Sequence, residues 1–373
     1  MISNNKYIYK PLKIEFNLSH KKPSHEKPSN INLADIIFYH ENCPDGTLSC
    51  ALWLKQITGK KHIYPIQPST NVLLFFPFKN FIRYSKINIV FLDVVPSDIF
   101  KFCNKILNYN KMRQGSHITI TIVDHHVGNI DKIQKLKKLS KTDIIINFEP
   151  NSLYGAAKQV IDLLGQKILG KTILTKKQIE FSIPIAAMDM WNRDAFKDVN
   201  YLNFGLKYYC FKNNIKMFTI NQFDEMMDDG MIPINYFVDI GKKWYDKAYN
   251  YIVRLFSTAR VKKLLEYNIT FEEYNIVIVD LAKIFNKGEY MKQKSNMVVT
   301  LSFMLEDKFI KNRLLGSNVN TIAFLNSGGV SLRSIDNNKK LDMNYLADKL
   351  CKGGGHVKAA GCNAELFLKS IVT

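Results

Sequence analysis

Short runs of β-branched and aliphatic residues, each stopping on a polar residue, set the rhythm of the first half of this chain. Residues 34–39 form an apolar run that reads as a buried parallel strand and ends at His40. The tight turn Glu41-Asn42-Cys43-Pro44-Asp45-Gly46 follows, and residues 47–54, small and apolar, read as a helix. The pattern returns at residues 87–92, which stop at Asp93, with Ser97 placed to cap the next helix. A third run, the alternating residues 117–122, leads through Val123 into Asp124-His125-His126. Phe148-Glu149-Pro150 enters a further helix through Tyr154-Gly155-Ala156-Ala157, and a helix over 177–187 runs into Asp189-Met190-Trp191.

The second half has a different texture. Residues 196–265 keep a helical, basic pattern interrupted at Gly230 and Pro233, which suits a connector. Strands are expected at 274–280, 297–303, 321–325 and 330–335; in the last, alternation points Ser331 and Arg333 to one face. An amphipathic helix over 343–351 ends at Gly353-Gly354-Gly355-His356, followed by Ala359-Ala360-Gly361. No internal repeat of fixed period is present. The expected fold class is α/β: a polar tail over 1–30, a parallel-sheet unit over 31–195, a helical connector over 196–265, and a smaller α/β unit with a mixed sheet over 266–373.

In open α/β sheets, ligands bind beyond the carboxyl ends of the strands. Here three strands deliver His40, Asp45, Asp93, Asp124, His125 and His126 to one such edge. Each acid taken alone also reads as an ordinary helix cap or surface charge. Together, imidazoles and carboxylates without thiolates make a site suited to Mn²⁺, Zn²⁺, Co²⁺ or Fe²⁺ rather than Ca²⁺. Five or more ligands exceed the share of one ion, and a bridging carboxylate would accommodate two. The chemistry expected of such a pair is phosphoester hydrolysis by in-line attack of metal-activated hydroxide.

Composition changes this picture in one respect. The 373 residues carry a formal net charge of +19, compatible with a polyanionic partner, nucleic acid above all, or with a general Lys-rich bias, since the charge is diffuse. The six cysteines form no C-x-x-C pair and are expected to be reduced thiols of a cytoplasmic protein. No apolar run approaches the roughly 20 residues of a membrane span, so no membrane partner is expected.

The motifs resemble those of the DHH phosphoesterase superfamily. Asp124-His125-His126 matches its signature. His40 with Pro44-Asp45-Gly46 resembles the first motif, Asp93 the second and Asp189-Met190-Trp191 the fourth. Gly353-Gly354-Gly355-His356 with Ala359-Ala360-Gly361 resembles the G-G-G-H-x-x-A-A-G motif of the DHH-associated C-terminal domain. The resemblance implies metal ligation by His40, Asp45, Asp93, His125 and Asp189, with Asp93 bridging. It implies that Asp124 orients the site and that His126 faces the substrate phosphate. Arg333, Gly353, Gly354, Gly355 and His356 would hold the rest of the substrate in the cleft between domains. The implied cofactor is Mn²⁺, two ions, with Mg²⁺ or Co²⁺ as alternatives. Where the first motif usually carries a second acid, this chain has Asn42, a neutral and weaker ligand. The expected activity is hydrolysis of short oligonucleotides or small nucleotides. Polyphosphate hydrolysis, or nucleic-acid binding with weakened catalysis, are the alternatives.

Overall fold

The computed structural model describes residues 33–372, except 58–59, 75, 77–83, 85, 113–116, 140–142, 151, 168–173, 230–232, 257, 259–267, 281–282, 284–314, 316–317, 327–328, 336–340 and 357–358. The expected tail over 1–30 and the expected strand over 297–303 lie outside the described residues.

Five strands form the first sheet: β1 (Leu33–His40), β2 (Lys60–Ile66), β3 (Lys86–Leu92), β4 (His117–Asp124) and β5 (Ile144–Phe148). All are parallel, in the order β2-β1-β3-β4-β5. The central strands alternate between two apolar layers. Ile37, Val90, Leu92 and Val123 face one core, shared with α1 (Pro44–Leu54), α4 (Ala156–Lys167) and α5 (Lys176–Asp189). Ile36, Phe38, Ile89, Phe91, Ile120 and Ile122 face the other, packed by α2 (Ile99–Met112) and α3 (Ile130–Lys137). Burial on both faces explains why these strands read as nearly continuous apolar runs. Phe38 and Phe91, paired in register, stack at 4.9 Å.

The strand order fixes where a ligand can sit. From the central β1 the chain first moves outward to β2, then returns to β3 on the other side and continues to β4 and β5. The loops after β1 and β3 therefore diverge, which opens a crevice at their carboxyl ends. His40 closes β1, and Asp93 follows β3.

Three helices occupy the expected connector: α6 (Val199–Lys212), α7 (Ile220–Asp229) and α8 (Ile234–Phe256). α6 and α8 cross closely because two glycines let them. A Cβ on Gly205 would lie 1.7 Å from the Phe237 carbonyl oxygen, and one on Gly241 1.8 Å from that of Tyr201.

The second sheet has six strands: β6 (Asn268–Phe271), β7 (Tyr274–Asp280), β8 (Thr321–Asn326), β9 (Gly329–Ser334), β10 (Gly354–His356) and β11 (Ala359–Asn363). Their order is β10-β11-β9-β8-β7-β6, with only β7 and β8 parallel, so the sheet is mixed as expected. Val330 and Leu332 are buried while Ser331 and Arg333 share the other, half-buried face. Helix α9 (Met343–Cys351) is capped by Asp342, whose carboxylate accepts the Asn344 N–H at 2.8 Å, and α10 (Ala364–Val372) closes the chain.

One sequence expectation is corrected here. Cys351, at the end of α9, and Cys362, in β11, form a disulfide, whereas Cys43, Cys50, Cys103 and Cys210 are free. Composition argued for six reduced thiols. The hairpin of β10 and β11 nevertheless folds back onto the end of α9 and brings this pair together.

Candidate metal centre

The centre is built where the loops after β1, β3 and β4 meet the end of α5. β1 stops at His40, and Asn42 then takes a left-handed conformation (φ 62°) that turns the chain into α1. Pro44 occupies the first turn of α1, where its missing N–H costs nothing. Asp45 sits in the same turn but serves another helix. Its carboxylate accepts the N–H of Ala156 at 2.6 Å and of Ala157 at 3.2 Å, capping the start of α4. This approach needs Gly155, where a Cβ would lie 2.6 Å from Asp45 Oδ2.

Asp93 is fully buried and left-handed (φ 60°), with its N–H bonded to the Val123 carbonyl at 2.8 Å. That backbone turn presents both carboxylate oxygens to imidazoles. Oδ2 lies 3.2 Å from His40 Nδ1, and Oδ1 lies 2.9 Å from His125 Nε2. His126 Nδ1 lies 3.8 Å from the same Oδ1. Asp189 is the last helical residue of α5, and its Oδ2 is 3.2 Å from His125 Nε2. Beyond it, Trp191 holds the left-handed position (φ 52°) of a helix-ending turn. The N–H of Asn192 bonds to the Ala187 carbonyl and that of Trp191 to Met188, both at 3.0 Å.

These residues make two ligand sets. His40, Asp93 and His126 form one; Asp45, Asp93, His125 and Asp189 form the other, each with ligand atoms within 4.8 Å of one another. Asp93 belongs to both. All five residues expected to ligate metal fall in these sets, and His126 joins the first. Asp124 stands outside them. Its Oδ1 is 2.7 Å from His126 Nδ1, and its Oδ2 accepts the Asn129 amide at 2.9 Å. The first of these contacts fixes the ring of His126 against Asp124. Asn42 is exposed and holds the left-handed position of the turn between β1 and α1.

The electrostatics fit a cation. Burial, together with the neighbouring Asp93 and Asp189 carboxylates, holds the Asp45 carboxyl well above its ordinary range. Burial also opposes charge on Asp93, but its hydrogen bonds with His125 and His40 prevail and keep it well below the usual carboxylate range. Burial would discharge His125, yet Asp189 and Asp93 raise it well above a free imidazole. Burial and the nearby Asp189, Asp93 and Asp45 keep the Cys43 thiol well above its usual range, so it stands as a neutral donor to Asp189 Oδ1 at 3.6 Å. Three carboxylates in one set, Asp45 and Asp93 buried and Asp189 half-buried, with a single imidazole among them, are a donor set of N and O atoms that divalent ions match.

The second sheet supplies the remaining expected residues. β10 lies against the short 3₁₀ turn Val127–Asn129 that follows His126. Asn344 of α9 links the two: its Oδ1 accepts the Gly355 N–H at 3.0 Å, and a Cβ on Gly128 would come within 3.2 Å of the same atom. Gly353 and Gly355 leave room for the hairpin, since Cβ atoms there would lie 2.3 Å from the Gly361 carbonyl and 2.6 Å from that of Ala359. The left-handed helix end at Lys352 (φ 52°), not a glycine, stops α9. His356 pairs with Ala359 through the backbone, and its side chain lies outside the described residues. Gly155, Asn129 and Met190, whose sulfur is 2.9 Å from His125 Nδ1, were not singled out from sequence. Gly155 carried a local signal in the Gly155-Ala156-Ala157 helix start and Met190 in the Asp189-Met190-Trp191 motif, whereas Asn129 carried none.

No protein-family model matches the chain, and no curated protein matches it. Among solved structures, the crystal structure of an uncharacterized protein from Helicobacter pylori G27 is similar at 16% sequence identity, covering 89% of this chain and 94% of that chain with a TM-score of 0.37. Among the described residues, no helix is long and apolar enough to cross a membrane.

Proposed function

We propose that this protein hydrolyses phosphoester bonds in short oligonucleotides or small nucleotides, using two divalent ions, with Mn²⁺ the preferred metal. The observation that carries this reading is the sharing of Asp93 between two adjacent ligand sets. A bridging carboxylate between two such sets is the arrangement that in-line phosphoryl chemistry uses.

Ions held there would supply Lewis acidity toward a phosphoryl oxygen and acidify a coordinated water. The side chains themselves do three things. Asp45, His125 and Asp189 hold one set rigid, because Asp45 is fixed by the start of α4 and Asp189 by the end of α5. Asp124 binds His126 at Nδ1, which sets the tautomer and leaves Nε2 as the nitrogen available to a substrate oxygen. Burial of His125, Asp93, Asp45 and Asp124 removes competing water and strengthens every charge interaction in the centre.

End-labelled oligonucleotides from dimers to about 20-mers, incubated with and without Mn²⁺, test the proposal. Mn²⁺-dependent release of mononucleotides, absent in Asp93→Asn, is the expected result. No hydrolysis of oligonucleotides, nucleotide phosphates or polyphosphate with metal supplied would overturn it. Cleavage of polyphosphate alone would reassign the substrate to phosphoanhydrides.

A further inference from the structure

The imidazole of His125 has two nitrogens, and the end of α5 touches both. Asp189, the last residue of α5, brings its Oδ2 to 3.2 Å from Nε2, where Asp93 Oδ1 also lies, at 2.9 Å. Met190, the next residue, brings its sulfur to 2.9 Å from Nδ1. The left-handed turn at Trp191 and the bond from the Asn192 N–H to the Ala187 carbonyl, at 3.0 Å, tie this helix end down. Two successive side chains thus grip one ring, a carboxylate at one nitrogen and a thioether at the other.

A thioether sulfur has no hydrogen to give and can only accept. The contact is therefore a hydrogen bond only when the proton sits on Nδ1. His125 is fully buried, and a buried N–H without an acceptor costs free energy. With Nδ1 protonated, the neutral ring turns the lone pair of Nε2 toward Asp93 and Asp189, the members of its own ligand set. A lone pair facing two carboxylates is repulsive until a proton or a cation lies between them. His126 is fixed by a different partner, the Asp124 carboxylate at 2.7 Å from its Nδ1. The two neighbouring imidazoles therefore differ in what stands behind them. A carboxylate makes a ring a more electron-rich ligand, whereas a thioether, a weak acceptor, sets its direction with little of that push. A leucine would fill the same space and accept nothing.

We propose that Met190 is a positioning residue of the metal centre: its sulfur accepts the Nδ1–H of His125 and so leaves Nε2 as the nitrogen offered to an ion held with Asp45, Asp93 and Asp189. This rests on the metal-binding half of the reading above and not on the choice of substrate. The effect falls on that ion, since His40 and His126, the imidazoles of the other set, meet Asp93 and Asp124 instead.

The test uses the full-length protein, labelled at the histidine nitrogens and loaded with Zn²⁺, a diamagnetic ion that suits the same donors. Nuclear magnetic resonance of the wild type should show His125 as the Nδ1–H tautomer. Its Nδ1 proton should exchange slowly and give a nuclear Overhauser contact to the Met190 methyl group. Met190→Leu keeps the bulk and removes the acceptor. It should speed that exchange and weaken one of the two Zn²⁺ binding events in calorimetry by about tenfold, the lower end of what outer partners of ligating histidines contribute. The other binding event should stay as in the wild type. Met190→Gln, whose amide oxygen accepts, should recover most of the lost affinity. Met188→Leu changes a buried core methionine of the same helix and should alter neither event, which separates this hydrogen bond from loss of a methionine as such. Wild-type affinities in Met190→Leu, or an Nε2–H tautomer of His125 in the Zn²⁺-loaded wild type, would overturn the proposal. Failure of the wild type to bind Zn²⁺ at all would instead overturn the metal reading, and the role assigned to Met190 with it.

Discussion

Asp93 and His125 meet at 2.9 Å, Oδ1 to Nε2, in the fully buried floor of the crevice, while the other oxygen of the same carboxylate faces His40. One side chain thus joins two ligand sets that otherwise share nothing. Metal stoichiometry should follow this arrangement. Calorimetry with Mn²⁺ should find two ions in the wild type, one in Asp189→Ala, one in His40→Ala and none in Asp93→Ala. At an ion concentration of about 100 times Kd each occupied site should add about 2.7 kcal/mol of stability, read as a rise in Tm. Retention of both ions by Asp93→Ala would break the bridging assignment.

The Asp45 carboxylate has two duties, one to α4 and one to the second ligand set, and they can be separated. Asp45→Asn keeps an acceptor for the Ala156 N–H, so urea unfolding should show a loss of about 1 kcal/mol or less. It removes the charge, so the second ion should go. Gly155→Ala pushes a methyl group to 2.6 Å from Oδ2 and should cost about 1–3 kcal/mol as well as that ion. A Gly155→Ala protein with wild-type stability and both ions would show that the carboxylate position is not set by this glycine.

Asn42 stands where the resemblance suggested a weakened ligand, but it is an exposed turn residue at φ 62°. Asparagine and aspartate both tolerate this conformation. Asn42→Asp should therefore leave the Mn²⁺ stoichiometry unchanged and shift stability by no more than about 0.5 kcal/mol. A gain of a tightly bound ion in Asn42→Asp would return this position to the ligand set.

How much of this was legible follows from where each signal resides. Strands β1, β3 and β4 are buried on both faces, so the chain spells them as apolar runs and any polar residue at their ends stands out. His40, Asp93 and Asp124-His125-His126 were found that way. β2 pairs only with β1 at the sheet edge, and its Lys60, Lys61 and Pro65 dilute the apolar pattern that would have announced it. β5 forms the opposite edge and was missed for a related reason: it is short and mostly half-exposed. Asp45 reads locally as an acid in the first turn of its own helix; only tertiary structure shows that it caps α4. The left-handed turn at Trp191 has no glycine to mark it.

The disulfide gives a count that requires no assay of function. Without reductant, unfolded protein should titrate four thiols, those of Cys43, Cys50, Cys103 and Cys210, and six after reduction. Closing this short loop should contribute up to about 3 kcal/mol in the chain-entropy picture, so reduction should lower Tm and loosen the hairpin that carries Gly354–His356. Six titratable thiols in the purified, unreduced protein would mean that the pair is not bonded in solution.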